Sequence, residues 1–135
     1  MAPTTAPYAL IVDDDPLILM HTALILQNAG FQTLEAMDGE EAVRLLGQYQ
    51  KDIVLLFTDV DMPGSMNGFA LGQYVAATRP EIEIVMASGH VLPRPGEMPE
   101  KASFLLKPYS TYVVVSHLAS ILPDGIKPSL FTRIF

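Results

Sequence analysis

The sequence contains no cysteine, few basic residues and no apolar segment long enough to cross a membrane. The lack of cysteine excludes disulfides, thiolate metal ligands and thiol catalysis, and it is consistent with a cytoplasmic protein. Eight basic and 15 acidic residues give a net charge of −7, which argues against binding nucleic acid or an anionic membrane surface. The apolar stretch Leu17 to Leu26 is too short to span a bilayer, and the N-terminus lacks the features of a signal peptide.

What is present suffices for one folded domain, because half of the 135 residues are hydrophobic. We expect a loose arm at residues 1–7, a folded domain at 8–122 and a tail at 123–135. The tail carries an apolar stripe at helical spacing, which must pack on its own domain, on a second copy or on a partner. The stripe consists of Ile126, Leu130, Phe131, Ile134 and Phe135.

The most informative stretch begins with Ile53 to Thr58, a run of mostly bulky apolar residues without a charge. Asp59 follows the run, and Pro63 with Gly64 ends any strand. Such a run predicts a strand buried on both faces, at the centre of a parallel sheet. Asp59 is therefore expected at the carboxyl edge, where open α/β sheets place their ligands.

The rest of the chain alternates strands with helices. A strand at Tyr8 to Val12 ends on acidic residues, and Asp15 with Pro16 predicts the start of a helix that runs to about Asn28. Further strands are predicted at residues 31–36, 82–87 and 102–106. Further helices are predicted after residue 38, at 69–78 and in a last helix that Ser110 could cap and that runs to about Leu122. A fivefold βα repeat indicates a parallel sheet with helices on both faces.

Five polar residues follow the strands directly, and these strand ends meet at one edge of a doubly wound sheet. They are Asp13, Asp14, Asp59, Ser88 and Lys107. Carboxylate ligands without sulfur suit a hard cation such as Mg²⁺. The three histidines lack the spacing of a zinc site.

Four motifs in this order resemble the receiver domain of two-component response regulators. They are Leu10–Asp15 (LIVDDD), Thr58–Gly64 (TDVDMPG), Met86–Gly89 (MASG) and Phe104–Tyr109 (FLLKPY), and the resemblance covers about residues 8–122. The resemblance implies a flavodoxin-like fold, with five parallel strands in the order 2-1-3-4-5.

The resemblance also implies the roles of the site residues. Asp59 would accept a phosphoryl group, with Ser88 and Lys107 holding its oxygens. The implied Mg²⁺ ligands are Asp13 through water, Asp14 directly, Asp59, and Asp61 through its backbone carbonyl. The donor would be a phosphohistidine on a sensor histidine kinase or a histidine phosphotransfer protein.

The function implied is a single-domain response regulator that is not an enzyme and acts by contact with a downstream protein. No helix-turn-helix is expected after residue 122. Pro93, Pro95 and Pro99 interrupt the segment from Gly89 to Lys101, so the fourth helix of the family should be short or absent. Output through this loop and the tail is then expected.

Two further features concern signalling. Phe104 occupies a position where the family often has Tyr, and we expect it to respond with Ser88 to phosphorylation. The first helix has no charged residue, and Leu17, Met20 and Leu24 form a stripe that the sheet cannot cover. This stripe is a candidate surface for a kinase, a phosphotransfer protein or a homodimer, although scattered exposed leucines are also common. The opposite stripe, expected to face the sheet, contains Ile18, His21, Thr22, Ile25 and Ala29.

Two alternative functions remain from the sequence. A pseudo-receiver would bind partners without being phosphorylated. A Mg²⁺-dependent phosphatase related to haloacid dehalogenases shares the pattern of Asp59 and Asp61 after an apolar strand. That family places its nucleophile on the first strand and needs a longer chain, which disfavours it here.

Overall fold

The computed structural model describes residues 7–49, 52–62 and 64–123. Strands and helices alternate through these ranges until β4, which β5 follows directly. The elements are β1 (Tyr8–Val12), α1 (Pro16–Asn28), β2 (Gln32–Ala36), α2 (Gly39–Gln48), β3 (Ile53–Asp59), α3 (Gly68–Thr78), β4 (Glu83–Ser88), β5 (Ser103–Leu106) and α4 (Thr111–Ile121). Nearly all of the predicted arm and tail lies outside the described residues.

All five strands are parallel and lie in the order β2-β1-β3-β4-β5, which confirms the predicted doubly wound sheet. The central strand β3 is buried along almost its whole length, including Asp59, as its uncharged sequence predicts. One apolar core lies under α1 and α4, and a second lies under α2 and α3. None of the helices described is long and apolar enough to cross a membrane.

The ends of the helices follow local sequence signals. The Asp15 carboxylate accepts hydrogen bonds from the backbone N–H groups of Leu17, at 2.9 Å, and Ile18, at 3.4 Å. Gly30, just beyond the end of α1, has a φ of 107°, a conformation that favours glycine. Ser110 caps α4 by accepting from the Val113 N–H at 3.1 Å. These caps confirm both predicted helix starts.

The helix between β4 and β5, predicted to be short or absent, is absent from residues 89–102. Instead this segment is an extended loop with turns, in which Pro99 is buried. Gln73 of α3 donates to the carbonyl of Glu97 at 3.0 Å and holds the loop against that helix. Three prolines remove backbone donors and clash with a helical turn, so the loop depends on such side-chain contacts.

The face that α1 turns to the sheet differs in part from the prediction. Ile18 is only half-buried and His21 is exposed, whereas Leu19 and Leu26 are buried instead. The expected burial of Thr22, Ile25 and Ala29 is confirmed. A helix that is apolar all round has no polar side to fix its rotation, so packing decides which face is covered. The stripe of Leu17, Met20 and Leu24 is exposed as predicted, with exposed fractions of 71%, 54% and 52%.

Candidate functional site

The sheet brings all the predicted site residues to its carboxyl edge. Asp13 and Asp14 follow β1, Asp59 ends β3, Ser88 ends β4 and Lys107 follows β5. Together with Asp61 they line an open cleft of about 730 Å³. Residues from four strands meet here because parallel strands end at the same edge.

Lys107 links two buried carboxylates across the cleft. Its Nζ donates to Oδ2 of Asp13 at 2.8 Å and to Oδ1 of Asp59 at 2.9 Å. Burial lowers the pKa of Lys107, but its hydrogen bonds to Asp13 and Asp59 and their charges outweigh burial and raise the pKa overall. Lys107 therefore stays a cation at neutral pH, between two acidic groups.

Asp59 lies in an environment that disfavours its charge. Only 6% of the residue is exposed, and burial raises its pKa. The hydrogen bond from Lys107 opposes this effect, while the negative charges of Asp13 and Asp14 add to it. The ionised carboxylate would be stabilised by a further cation.

The carboxylates fit a divalent metal ion. Oxygen atoms of Asp13, Asp14 and Asp59 all lie within 4.8 Å of one another, and Asp14 is exposed to solvent. Three carboxylates and one ammonium leave an excess of negative charge. Oxygen ligands, together with room for water in the cleft, match what Mg²⁺ prefers.

Ser88 is almost fully buried at the rim of the cleft. Its Oγ accepts hydrogen bonds from the backbone N–H groups of Val91, at 2.9 Å, and His90, at 3.3 Å. Both contacts use Ser88 as the acceptor, so its hydroxyl hydrogen can be donated to another group. Ser88 thereby connects the cleft to the start of the proline-rich loop.

Two contacts near the site were missed by the sequence reasoning. Tyr109 forms a buried hydrogen bond of 2.5 Å with Thr22 of α1, and its ring meets Phe57 edge-on. Burial raises the pKa of Tyr109, with the Thr22 contact acting in the opposite direction. A polar Thr22 within an otherwise apolar helix face was the available signal, because a buried hydroxyl requires a partner.

The second contact is at Gly68, the first residue of α3. A Cβ at this position would lie 2.0 Å from the carbonyl oxygen of Asp59 and 2.7 Å from Cα of Val60. The Gly68 N–H also donates to the carbonyl of Val60 at 2.9 Å. The backbone at the start of α3 is thus in direct contact with the backbone of Asp59 and Val60, which only glycine permits.

Comparison with known proteins identifies the family. Residues 9–118 match the family model described as the response regulator receiver domain. The chain therefore belongs to the family of response regulator receiver domains. Proteins of this family act generally as phosphoacceptors for sensor histidine kinases in two-component systems.

Curated relatives include larger signalling proteins. The chain is 30% identical to the sensor kinase CckA of Brucella abortus over 104 residues, which is 75% of this chain and 11% of CckA. It is 36% identical to the autoinducer 1 sensor kinase/phosphatase LuxN of Vibrio campbellii over 84 residues, covering 62% of this chain and 10% of LuxN. The chain thus spans about a tenth of the length of these relatives. Protein PilH of Pseudomonas aeruginosa is 42% identical over 60 residues, 44% of this chain and 47% of PilH.

Solved structures agree with the assignment. The receiver domain of the hybrid histidine kinase CckA has a TM-score of 0.74 at 27% identity, covering 86% of this chain and 99% of that domain. The chemotaxis protein CheY4 of Vibrio cholerae also reaches 0.74 at 27% identity, covering 87% and 100%. A receiver protein from Sinorhizobium medicae reaches 0.79 at 22% identity, with 86% and 94% covered, and shows the fold alone.

Proposed function

We propose that the chain is a response regulator that accepts a phosphoryl group on Asp59, from a phosphohistidine of a sensor kinase or phosphotransfer protein. It acts as a Mg²⁺-dependent phosphoacceptor and not as an enzyme. The supporting observation is the position of Asp59, buried at the end of β3 and hydrogen-bonded to Lys107 among further carboxylates. Output by contact with a downstream protein is part of the proposal.

The geometry supports this chemistry step by step. A carboxylate oxygen of Asp59 attacks phosphorus, the P–N bond to the donor imidazole breaks, and an acyl phosphate forms on Asp59. Lys107 places its ammonium against the incoming phosphoryl oxygens, and Ser88 donates its hydroxyl hydrogen to one of them. A bound Mg²⁺ would neutralise phosphoryl charge. Its ligands would be Asp13, Asp14, Asp59 and the backbone carbonyl of Asp61.

The phosphatase alternative is less well supported. Its nucleophile would lie on the first strand of the chain, whereas Asp59 ends β3. The pseudo-receiver alternative differs only in chemistry, because its fold would be the same. A labelling experiment separates that alternative from the proposal.

The test is intact-mass analysis after incubation with Mg²⁺ and a small phosphodonor. The unmodified chain should gain one phosphoryl mass that is lost in alkali, and Asp59→Asn should gain none. Asp52→Asn is the matched control, because this exposed carboxylate precedes β3 and does not line the cleft, so the variant should still be labelled. An unlabelled wild-type chain would favour the pseudo-receiver, and full labelling of Asp59→Asn would reject the assignment of the acceptor.

A protein donor needs a docking surface next to the cleft, and we propose the exposed stripe of α1. Ile18 and His21 of the same helix line the cleft, so the stripe begins beside the cleft that contains Asp59. Leu17→Glu combined with Leu24→Glu should preserve labelling by a small donor but abolish transfer from the cognate protein. Unchanged protein-to-protein transfer would rule this surface out.

A further inference from the structure

The stripe of Leu17, Met20 and Leu24 is an exposed apolar surface with no charged side chain on its helix. These residues recur at i, i+3 and i+7, so they lie in one line along α1. All are more than half exposed. No residue in Pro16–Asn28 carries a formal charge, so an apolar partner could cover this helix without burying a charged side chain.

The described chain ends beside this helix. Leu122 is buried in the same apolar cluster as Leu26 and Ala29 from the end of α1. Helices α1 and α4 contact each other, and both begin at the carboxyl edge of the sheet. The described chain therefore ends, at Pro123, next to the C-terminal end of α1.

The length of the following segment matches the stripe. Pro128 excludes a single helix through residues 124–135, but residues 128–135 would cover about 12 Å as a helix and more if extended, whereas Leu17 to Leu24 spans about 10 Å. The segment contains the apolar stripe for which the sequence leaves three places open: its own domain, a second copy or a partner. The residues of this tail stripe are Ile126, Leu130, Phe131, Ile134 and Phe135.

One charge of the tail, that of Arg133, has partners of opposite sign when the tail runs back along α1. The far end of the tail would then reach the N-terminal end of the helix. Arg133 lies near that end of the tail, and the exposed carboxylates of Asp14 and Asp15 lie at the start of α1. Opposite charges at this end favour the reversed direction.

We propose that residues 124–135 of the same chain dock on the stripe of Leu17, Met20 and Leu24. A tethered segment competes at an effective concentration on the order of millimolar, so weak contacts suffice for it to occupy the stripe. The stripe is then covered by an apolar segment of its own chain until something displaces it.

A regulatory consequence follows, and this consequence alone rests on the proposed function. The tail would cover the surface that we assign to the phosphodonor protein. A protein donor must then displace the tail before transfer, whereas a small donor enters the cleft directly. The tail would slow phosphorylation by proteins selectively.

Oxidation of Met20 by peroxide measures whether the stripe is covered, without any phosphorylation. Met37 is also exposed, at 45%, and serves as the internal reference. In the full chain, Leu130→Asp with Phe131→Asp should raise the oxidation rate of Met20 relative to Met37 by at least about threefold. Thr132→Asp is the matched control and should leave the ratio unchanged.

The outcomes of this measurement separate the possible occupants. An unchanged ratio in the double variant would overturn the proposal. A ratio that falls with rising protein concentration would overturn it in favour of a second copy. Protection that is independent of concentration and lost in the double variant supports the tail.

Disulfide trapping provides a second measurement, because the chain has no natural cysteine. Met20→Cys with Leu130→Cys should form an intramolecular disulfide at least about tenfold faster than Gln48→Cys with Leu130→Cys. Gln48 is exposed on α2, which covers the opposite face of the sheet. Equal rates, or a disulfide-linked dimer as the main product, would overturn the proposal. Neither experiment depends on Asp59, so failure here leaves the phosphoacceptor proposal untouched.

Discussion

At the scale of single residues, charge balance defines the site. Lys107 is shared between Asp13 and Asp59, so neither carboxylate has a cation of its own. Burial raises the pKa of Asp59 even so. A phosphoryl group and a metal ion would enter a site in which one ammonium is already in position and negative charge is in excess.

His117 gives a pH-dependent prediction at the same scale. Its Nε2 lies 2.7 Å from Oγ of Ser103, and burial lowers the pKa of His117 below the ordinary 6.5. At pH values between the lowered pKa of the folded chain and 6.5, the unfolded chain binds more protons than the folded one. The contribution of His117 to the free energy of unfolding is therefore fully present above pH 6.5 and is lost as pH falls through the lowered pKa.

We therefore expect the free energy of unfolding to fall less between pH 7.5 and 5 in His117→Gln than in the wild type. Urea unfolding at several pH values measures this difference. His90→Gln is the control, because His90 is exposed, and it should keep the wild-type slope. A slope in His117→Gln equal to that of the wild type would contradict the prediction.

At the scale of elements, the start of α3 fixes the backbone beside the acceptor. Gly68 allows α3 to approach Asp59 and Val60 so closely that a Cβ would overlap main-chain atoms. Gly47, near the end of α2, has no atom within 4 Å of its would-be Cβ. Gly68 and Gly47 therefore serve different purposes.

Alanine at these two positions should have opposite effects. Gly68→Ala should lower the free energy of unfolding by about 1–3 kcal/mol, because backbone atoms must move. Gly47→Ala should raise it by about 0.5–1 kcal/mol, because alanine favours the helix and meets nothing. Denaturant unfolding of both variants checks this pair, and a neutral Gly68→Ala would show that the loop after Asp59 yields easily.

The loop between β4 and β5 is the second element with a testable role. In the structure, Oγ of Ser88 accepts hydrogen bonds from the backbone N–H groups of Val91 and His90. With beryllofluoride as a phosphoryl mimic, we expect Ser88 to turn inward, release both amides and free space for the ring of Phe104. Amide exchange at Val91 should then accelerate and the Phe104 ring resonances should shift.

Ser88→Ala is the control for this switch. Without the hydroxyl, exchange at Val91 should be fast from the start and should not respond to beryllofluoride. If Ser88, Val91 and Phe104 are unchanged by beryllofluoride in the wild type, this loop does not carry the signal.

At the scale of the whole molecule, the site exists only because the sheet brings the ends of four strands together at one edge. Asp13 and Lys107 are far apart in sequence, yet their side chains form one ion pair. Three carboxylates held together by the fold repel one another, and this repulsion destabilises the native state. A ligand that binds only the folded chain should relieve it.

Mg²⁺ should therefore raise the melting temperature. Linkage predicts about 2.7 kcal/mol of stabilisation when Mg²⁺ is near 100 times its Kd. Asp14→Asn should reduce the shift, whereas Asp52→Asn, at an exposed position before β3, should keep it. Thermal unfolding in millimolar Mg²⁺ and in chelator measures the shift in melting temperature. If the melting temperature of the wild type is the same in both, this would count against a preformed metal site.

Local sequence signals determined much of this protein. The bounds of β1, the position of Asp59 at the end of β3 and the caps at Asp15 and Ser110 are as predicted. The prolines likewise excluded a helix between β4 and β5. Each of these features depends on a few neighbouring residues, through hydrophobic runs, backbone donors or restricted φ angles.

Tertiary structure decided the rest. The sequence of α1 is apolar on every side, so only packing selected Leu19 and Leu26 for the core and left Leu17 exposed. The contact of Thr22 with Tyr109 joins residues from distant parts of the chain. Periodicity can rank the faces of a helix only when they differ in polarity. Where they do not, the choice is made by shape and by hydrogen bonds between distant elements.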